Sequence, residues 1–198
     1  MESSVFLISG PAGIGKTTVC DRLIKEFHPH LTRVVSATTR APREEEVEGV
    51  DYYFINKEKF NSLIYSNGFL EYEKIHGNYY GTLREKTLQE LRNSKDVLFN
   101  IDVNGTTSLQ KILRHCDFYK GKLISVFLYP SSIEELKNRL YNRGTDKEED
   151  ICIRLETAKV EITAMNLFDY QVKSRQREND YQSVRRIYLE ESRIYPRK

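Results

Sequence analysis

Residues 10–17 read Gly-Pro-Ala-Gly-Ile-Gly-Lys-Thr, which matches the G-x-x-x-x-G-K-[ST] pattern of a phosphate-binding loop without a mismatch. Glycines let the backbone turn so that its N–H groups point at an anion, and a helix that begins directly afterwards adds partial positive charge. The Lys16 ammonium suits the β- and γ-phosphates, and the Thr17 hydroxyl suits Mg²⁺. We expect contacts to the triphosphate from Gly10, Pro11, Ala12, Gly13, Ile14, Gly15, Lys16, Thr17 and Thr18. The motif predicts binding of a nucleoside triphosphate; the alternative is a chance match in a glycine-rich turn.

A second cluster consists of Arg40, Arg43 and Tyr52. Guanidinium groups bind phosphate oxygens in a bidentate manner, and a tyrosine hydroxyl adds a further donor. The cluster therefore favours a second phosphate site. The alternative is a basic turn that is merely solvated.

Glu71 lies in an aromatic segment that continues through two tyrosines to Thr82. A carboxylate can accept hydrogen bonds from the N1–H and N2–H₂ groups of guanine, whereas adenine presents an acceptor at N1. A site of this kind rejects the wrong base by about 10⁴- to 10⁵-fold. An exposed strand glutamate beside core tyrosines is an equally acceptable interpretation of these residues alone.

Three further arginines, Arg139, Arg143 and Arg154, flank the charged segment 144–150. Arg139 and Arg143 are four residues apart and so share one helix face. Arginines on a mobile flap can stabilise a transferring phosphoryl group by about 10³- to 10⁵-fold in rate. The alternative is surface ion pairing with the acids of that segment, which is usually worth less than about 1 kcal/mol per pair.

The composition is that of an ordinary water-soluble chain of 198 residues with a net charge of +2. This charge gives no reason to expect nucleic acid or a membrane surface as a partner. The three cysteines are far apart in the sequence, so we expect no disulfide framework, no zinc site and a cytoplasmic location. The N-terminus resembles no targeting peptide, and no apolar run reaches the length of a membrane span.

Strands and helices alternate along most of the chain. Core strands are predicted over residues 5–9, 31–36, 97–102, 122–128 and 168–172. Helices are predicted after the phosphate loop and over residues 105–115, 131–142, 151–167 and 181–195. Val19, Leu23 and Phe27 mark the buried face of the first helix. The pattern predicts an α/β fold in which helices wrap a parallel sheet, with the ligand at the carboxyl ends of the strands.

Residues 51–95 interrupt this alternation with short aromatic strands and two short helices, over 57–65 and 83–92. This pattern predicts a small α+β insertion. The preceding residues 37–43 and 44–49 are predicted as loops, because the first segment is broken by proline and the second is acidic.

With these motifs in view, the chain resembles guanylate kinases over residues 4–172. Besides the phosphate loop, the resemblance rests on residues 36–43 (Ser-Ala-Thr-Thr-Arg-Ala-Pro-Arg), 49–52 (Gly-Val-Asp-Tyr), 69–71 (Phe-Leu-Glu), 77–81 (Gly-Asn-Tyr-Tyr-Gly), 101–105 (Ile-Asp-Val-Asn-Gly) and 139–146 (Arg-Leu-Tyr-Asn-Arg-Gly-Thr-Asp). Adenylate and thymidylate kinases are similar only in the first motif. The combination is therefore specific.

The resemblance implies a P-loop kinase core over residues 1–36, 96–138 and 155–198, a GMP-binding insertion over 37–95 and a helical lid over 139–154. It implies phosphoryl transfer from ATP to GMP, with dGMP as a further acceptor, giving ADP and GDP with the help of Mg²⁺. By matching position, the GMP site would comprise Ser36, Arg40, Arg43, Tyr52, Glu71, Tyr80, Thr82, Asn100 and Asp102. The catalytic group would comprise Lys16, Arg40, Arg139, Arg143 and Arg154. The oligomeric state is not predicted.

The chain also departs from the family's pattern at a few positions. Asn100 replaces an acid, which we expect to weaken guanine recognition, and Ala12 replaces a serine of the loop. Residues 173–176 (Lys-Ser-Arg-Gln) replace a Val-Asn-Asp sequence near adenine, so the adenine contacts are expected to differ.

Two alternatives to a guanylate kinase stay open. One is a catalytically silent, guanylate-kinase-like protein-binding module, although such modules typically have a degraded phosphate loop. The other is a kinase of the same fold that acts on another phosphorylated acceptor.

Overall fold

The computed structural model describes residues 3–93, 96–116, 119–144 and 147–192, with the side chain of Arg143 left aside. Over these ranges the chain forms nine strands and seven α-helices. The strands are β1 (Val5–Ser9), β2 (Leu31–Arg33), β3 (Ala37–Thr38), β4 (Tyr53–Phe54), β5 (Phe69–Ile75), β6 (Asn78–Leu83), β7 (Asp96–Asn100), β8 (Leu123–Tyr129) and β9 (Tyr170–Lys173). The helices are α1 (Lys16–Phe27), α2 (Lys57–Tyr65), α3 (Arg84–Arg92), α4 (Val103–His115), α5 (Ile133–Arg143), α6 (Glu148–Thr163) and α7 (Arg177–Glu191).

The main sheet has the order β2-β7-β1-β8-β9, and each neighbouring pair is parallel. This arrangement confirms the predicted α/β class. All five residues of β1 are buried, as expected for a central parallel strand that is covered on both faces. The loop that follows β1 therefore emerges in the middle of the sheet, at its carboxyl edge, where such folds bind ligands.

Two hydrophobic clusters cover the two faces of the main sheet. Successive side chains of a strand point to opposite faces, so Phe6 and Ile8 join one cluster, whereas Val5 and Leu7 join the other. The first cluster includes Val19, Leu23 and Phe27 of α1, which confirms the predicted buried face. The second includes Leu109 and Leu113 of α4.

The predicted insertion contains a second sheet in the order β4-β3-β6-β5. Here the prediction of a loop over residues 37–43 is wrong for Ala37 and Thr38. These two residues form β3, which pairs with β4 in parallel and with β6 in an antiparallel manner. Both are fully buried, and the Thr38 hydroxyl donates to the carbonyl of Tyr79 at 2.9 Å. The pairing partners lie far away in sequence, so no local signal identifies the strand.

Several element boundaries differ from the predictions. The strand predicted to end at 102 ends at Asn100, because the Asp102 side chain caps α4 by accepting from the N–H groups of Asn104 and Gly105. The charged segment 144–150 is helical from Glu148 onwards, where α6 begins. The last helix begins at Arg177, four residues earlier than predicted, and residues 193–195 of the prediction lie outside the described residues.

Candidate functional site

A cleft of about 1490 Å³ lies at the carboxyl edge of the main sheet and extends to the second sheet. It brings together most of the residues that the sequence assigned to two different phosphates and a base. The predicted site residues that line it are Gly10, Ala12, Gly13, Ile14, Gly15, Lys16, Thr17, Thr18, Ser36, Arg40, Arg43, Tyr52, Glu71, Tyr80, Asn100, Asp102, Arg139 and Arg154. Pro11 and Thr82 are not among the lining residues. The side chain of Arg143 and residues 145–146 lie outside the described residues.

The phosphate loop has the geometry that its glycines predict. Gly10, Gly13 and Gly15 all have positive φ angles, and a Cβ on Gly10 would come within 2.2 Å of the Leu128 carbonyl oxygen. Helix α1 begins at Lys16, and its N-cap residue, Gly15, has no side chain that could cap the helix. The first N–H groups of α1 thus face the cleft as donors for an anion. The Lys16 ammonium donates to the loop's own carbonyl oxygens, those of Gly10 and, at 3.0 Å, Pro11.

The Thr17 hydroxyl has a partner on the neighbouring strand. The Asn100 side-chain amide, at the carboxyl end of β7, donates to it at 3.1 Å. Asn100 therefore contacts the phosphate loop directly, although the sequence analysis grouped it with the guanine-reading residues. The hydroxyl can serve as one magnesium ligand, and phosphate oxygens and water would supply the others, as Mg²⁺ prefers. The described residues contain no group of three or more His, Cys, Asp or Glu side chains that could hold a metal ion.

The predicted phosphate pair Arg40 and Arg43 is organised around Glu46, a residue that the sequence analysis did not single out. The two terminal nitrogens of Arg40 donate to the Glu46 carboxylate at 2.9 and 2.8 Å. Arg43 donates to it from its backbone N–H at 2.8 Å and from its guanidinium at 3.4 Å. Burial alone would raise the pKa of Glu46, but these donors hold that pKa below its ordinary value. The alternative of a merely solvated turn is therefore wrong.

Two tyrosines stand beside this arginine pair. The Tyr80 hydroxyl accepts from Nε of Arg40 at 3.3 Å, and the Tyr80 ring lies 5.9 Å from that of Tyr52. The Arg40 guanidinium also lies 5.5 Å from the centre of the Tyr52 ring. Burial raises the pKa of Tyr52, so its hydroxyl stays protonated as a donor. The group can therefore offer both guanidinium and phenol donors to one anion.

Glu71 is buried, with an exposed fraction of 8%, so the alternative of an exposed strand residue is wrong. Burial raises its pKa to about 7; the hydrogen bond from Thr82 opposes this shift, and the charges of Asp102 and Glu73 reinforce it. The Thr82 hydroxyl donates to Oε1 of Glu71. This bond fixes one carboxylate oxygen, and the carboxyl group can accept further hydrogen bonds in the cleft.

Gly105, at the start of α4, allows the close approach of that helix to Glu71. A Cβ at this position would lie 3.1 Å from Oε2 of Glu71 and 2.8 Å from the Ile101 side chain. The sequence contains this glycine within the Ile-Asp-Val-Asn-Gly motif, but its spatial neighbour on β5 could be identified only from the structure.

Arg139 makes contacts that differ from those expected of a catalytic arginine. One terminal nitrogen donates to the Ile14 carbonyl at 3.0 Å and to the Ser174 hydroxyl at 2.8 Å. The other donates to Glu135 at 2.6 Å and to the Arg175 carbonyl at 2.7 Å. All four terminal N–H groups thus have protein acceptors. Arg139 therefore links the phosphate loop to the segment after β9. The sequence analysis predicted a different role for it, the stabilisation of the transferring phosphoryl group.

The segment after β9 lines the same cleft through Arg175, Gln176 and Asp180. Asp180 is buried and accepts from the Ser174 hydroxyl and from the Arg175 N–H. Ser174, Arg175 and Gln176 belong to the segment 173–176, at which the sequence analysis expects the adenine contacts to differ. This part of the cleft wall therefore contains residues that differ from the sequence pattern of guanylate kinases.

Arg154 and Glu161 share one face of α6, two turns apart, and both line the cleft. Burial raises the pKa of Glu161 to about 7; the charge of Lys16 opposes the shift and that of Asp102 adds to it. Glu161 was missed by the sequence analysis. The signal that could have found it is its seven-residue spacing from Arg154.

The described residues contain no helix that is long and apolar enough to cross a membrane. The parallel sheet, the glycine loop with Lys16 and Thr17, and the shared cleft define a P-loop nucleotide-binding protein.

Comparison with known proteins narrows this class to one family. The family model described as guanylate kinase matches residues 2–191. A guanylate kinase of Clostridium tetani is 42% identical over 87% of this chain and 79% of its own length. One of Malacoplasma penetrans is 38% identical over 96% and 94%, respectively. A crystal structure of guanylate kinase from Anaplasma phagocytophilum superposes with a TM-score of 0.77 at 27% identity, covering 97% of this chain and 88% of that one. The chain belongs to the guanylate kinase family.

Proposed function

We propose that this protein transfers the γ-phosphoryl group of ATP to GMP, giving ADP and GDP. The observation that carries the proposal is that Lys16 of the phosphate loop and Arg40, two residues after β3 of the second sheet, line one cleft. A transfer between two nucleotides requires two cationic groups, one for each phosphate, that face the same cleft.

Glu71 supports guanine as the acceptor base. Its carboxylate is oriented by Thr82 and buried in the cleft wall, so it can accept from the N1–H and N2–H₂ groups of guanine. Ser36 and Asp102 complete this side of the cleft. Arg40, Arg43, Tyr52 and Tyr80 would hold the acceptor phosphate.

The proposed reaction needs no strong general base, because the acceptor is a phosphate oxygen that is already ionised near neutral pH. The chain's part is positioning and charge neutralisation: the loop N–H groups and Lys16 bind the donor, and the arginines bind the acceptor. Bound Mg²⁺, held by Thr17 and the phosphates, would supply further charge neutralisation. Arg154 and Arg143 would approach the transferring group as residues 139–154 close, which also excludes water as a competing acceptor.

The test is a coupled assay of ADP release with ATP and one acceptor at a time: GMP, dGMP, AMP, CMP, UMP or none. We expect release with GMP, weaker release with dGMP and only background with the others. Release with another nucleotide would support a kinase for a different acceptor, and no release with any acceptor would support a non-catalytic binding module. The matched control is Lys16→Ala, which should abolish release while the circular dichroism spectrum is unchanged.

A further inference from the structure

The Glu46 carboxylate lies at the centre of the acceptor-phosphate group and is saturated with hydrogen bonds. It accepts four: two from the Arg40 guanidinium, one from the Arg43 backbone and one from the Arg43 guanidinium. All three side chains are largely shielded from solvent, with exposed fractions of 14% for Arg40, 23% for Arg43 and 15% for Glu46. This is a built ion-pair cluster rather than a surface contact.

The donors of Arg40 are largely committed inside the protein. A guanidinium has five N–H groups. Four bonds occupy it: Nε to the Tyr80 hydroxyl, one terminal nitrogen to the Ala41 carbonyl and to Glu46, and the other to Glu46. Within the described residues, one N–H of Arg40 is left for a ligand. A bidentate contact between Arg40 and a phosphate is therefore incompatible with the present hydrogen bonds.

Glu46 is anchored to its own loop as well. Its backbone N–H donates to the Arg43 carbonyl at 3.0 Å, and its side chain accepts from the Arg43 N–H. These two reciprocal bonds close a turn over residues 43–46. Displacement of Glu46 by an incoming phosphate would break that turn together with the two Arg40 bonds. The geometry accordingly favours a Glu46 that stays in place when a ligand arrives.

We infer that Glu46 is a positioning residue for the acceptor phosphate: it holds both guanidiniums in place and reduces their joint charge from two positive to one. With Glu46 retained, a phosphate would bind on the open side of the cluster. There it meets the remaining N–H of Arg40 and the hydroxyl groups of Tyr52 and Tyr80. This inference rests on the proposed function, since it names how the GMP phosphate is recognised.

The perturbation that tests it is Glu46→Gln. A glutamine presents an NH₂ donor where the guanidiniums need an acceptor, so at least one Arg40 bond is lost. Hydrogen bonds to charged groups are worth about 1.5–3 kcal/mol each, which corresponds to about 10- to 100-fold weaker GMP binding. We expect a rise of that size in KM for GMP, with KM for ATP unchanged and a smaller change in kcat.

Three comparisons make the test specific. Glu48→Gln removes the same charge from an exposed side chain outside the cleft lining, keeps an oxygen that can accept from the Phe54 N–H, and should leave KM for GMP unchanged. Guanosine, which lacks the phosphate, should inhibit Glu46→Gln and the wild type with the same Ki. Glu46→Ala, which removes the acceptor without adding a donor, should also raise KM for GMP.

The outcomes separate the inference from the proposed function. A lower KM for GMP in Glu46→Ala would mean that Glu46 competes with the phosphate, which overturns the inference. Equal weakening of guanosine and GMP, or a parallel rise in KM for ATP, would indicate general damage to the cleft and would also overturn it. If wild-type protein binds no GMP by titration calorimetry, the proposed function fails before Glu46 is tested.

Discussion

The replacement of Glu71 by glutamine separates the stability of the fold from its ability to read guanine. Glutamine keeps the shape of the side chain and an oxygen that can accept from the Thr82 hydroxyl. The glutamine lacks the carboxyl group, so this position can no longer ionise. Because burial raises the pKa of Glu71 to about 7 from the ordinary value of 4.5, the wild-type carboxyl group resists ionisation in the fold.

The sign of the stability effect follows from that direction of shift. A carboxyl group whose pKa is higher in the folded state favours folding while it is protonated, and this contribution is fully present below about pH 4.5. It is lost as the pH rises towards 7, because the unfolded chain ionises freely and the folded chain does not. The difference between a pKa of about 7 in the fold and 4.5 in the unfolded chain corresponds to about 3 kcal/mol. Glu71→Gln should therefore be more stable than wild type by up to that amount at pH 8, and equally stable near pH 4.5.

Urea unfolding at the two pH values, followed by circular dichroism, measures this difference. In the same protein, GMP binding at pH 8 should weaken by about 10²- to 10⁴-fold, because two hydrogen bonds to a charged acceptor are lost. Glu73→Gln, two residues along β5, is the matched control and should retain GMP affinity. A stability difference that does not depend on pH would refute the burial argument. Unchanged GMP affinity in Glu71→Gln would refute the guanine-reading role.

Three further predictions concern the phosphate loop. Lys16→Ala should lower kcat by about 10²-fold or more with little change in Tm, since its ammonium contacts loop carbonyls; near-normal turnover in a steady-state assay would remove it from the mechanism. Arg139→Ala should lower the stability by about 2 kcal/mol and Tm by about 5 °C in calorimetry, because the phosphate loop and the segment after β9 both lose a charged donor; an unchanged Tm would show that this contact is dispensable. Asn100→Asp should raise the affinity for Mg²⁺ in the ATP complex by about tenfold, because residue 100 contacts the Thr17 hydroxyl. The Mg²⁺ dependence of ATP binding in titration calorimetry measures this affinity, and equal values for the two proteins would contradict the role of residue 100.

Features that depend on local sequence could be predicted. The glycine loop, the start of α1 and the buried face of that helix all follow from the residue types in one short, continuous stretch of sequence. The acidic and basic candidates were also identified by residue type, and the resemblance assigned them to one family. The structure then placed nearly all of them in one cleft.

Features that depend on distant backbone atoms could not be predicted. Strand β3 exists because Ala37 and Thr38 pair with β4 and β6, and one alanine beside one β-branched residue is too short a pattern to predict a strand. The contacts of Arg139 were missed for the same reason: the Ile14 carbonyl that it binds is 125 positions away in sequence. Glu46 lies only three residues from Arg43, but its position between two guanidiniums depends on how the loop turns.

The Lys16 ammonium of the phosphate loop donates to two carbonyl oxygens of the same loop. A single small anion, such as chloride, would have to replace both of these acceptors while offering little in return. A polyphosphate presents several oxygens at once, to the ammonium and to the backbone N–H groups of α1. We therefore expect the loop to bind no chloride in ordinary salt solutions. We expect it to bind the polyphosphate of a nucleotide through several contacts at once.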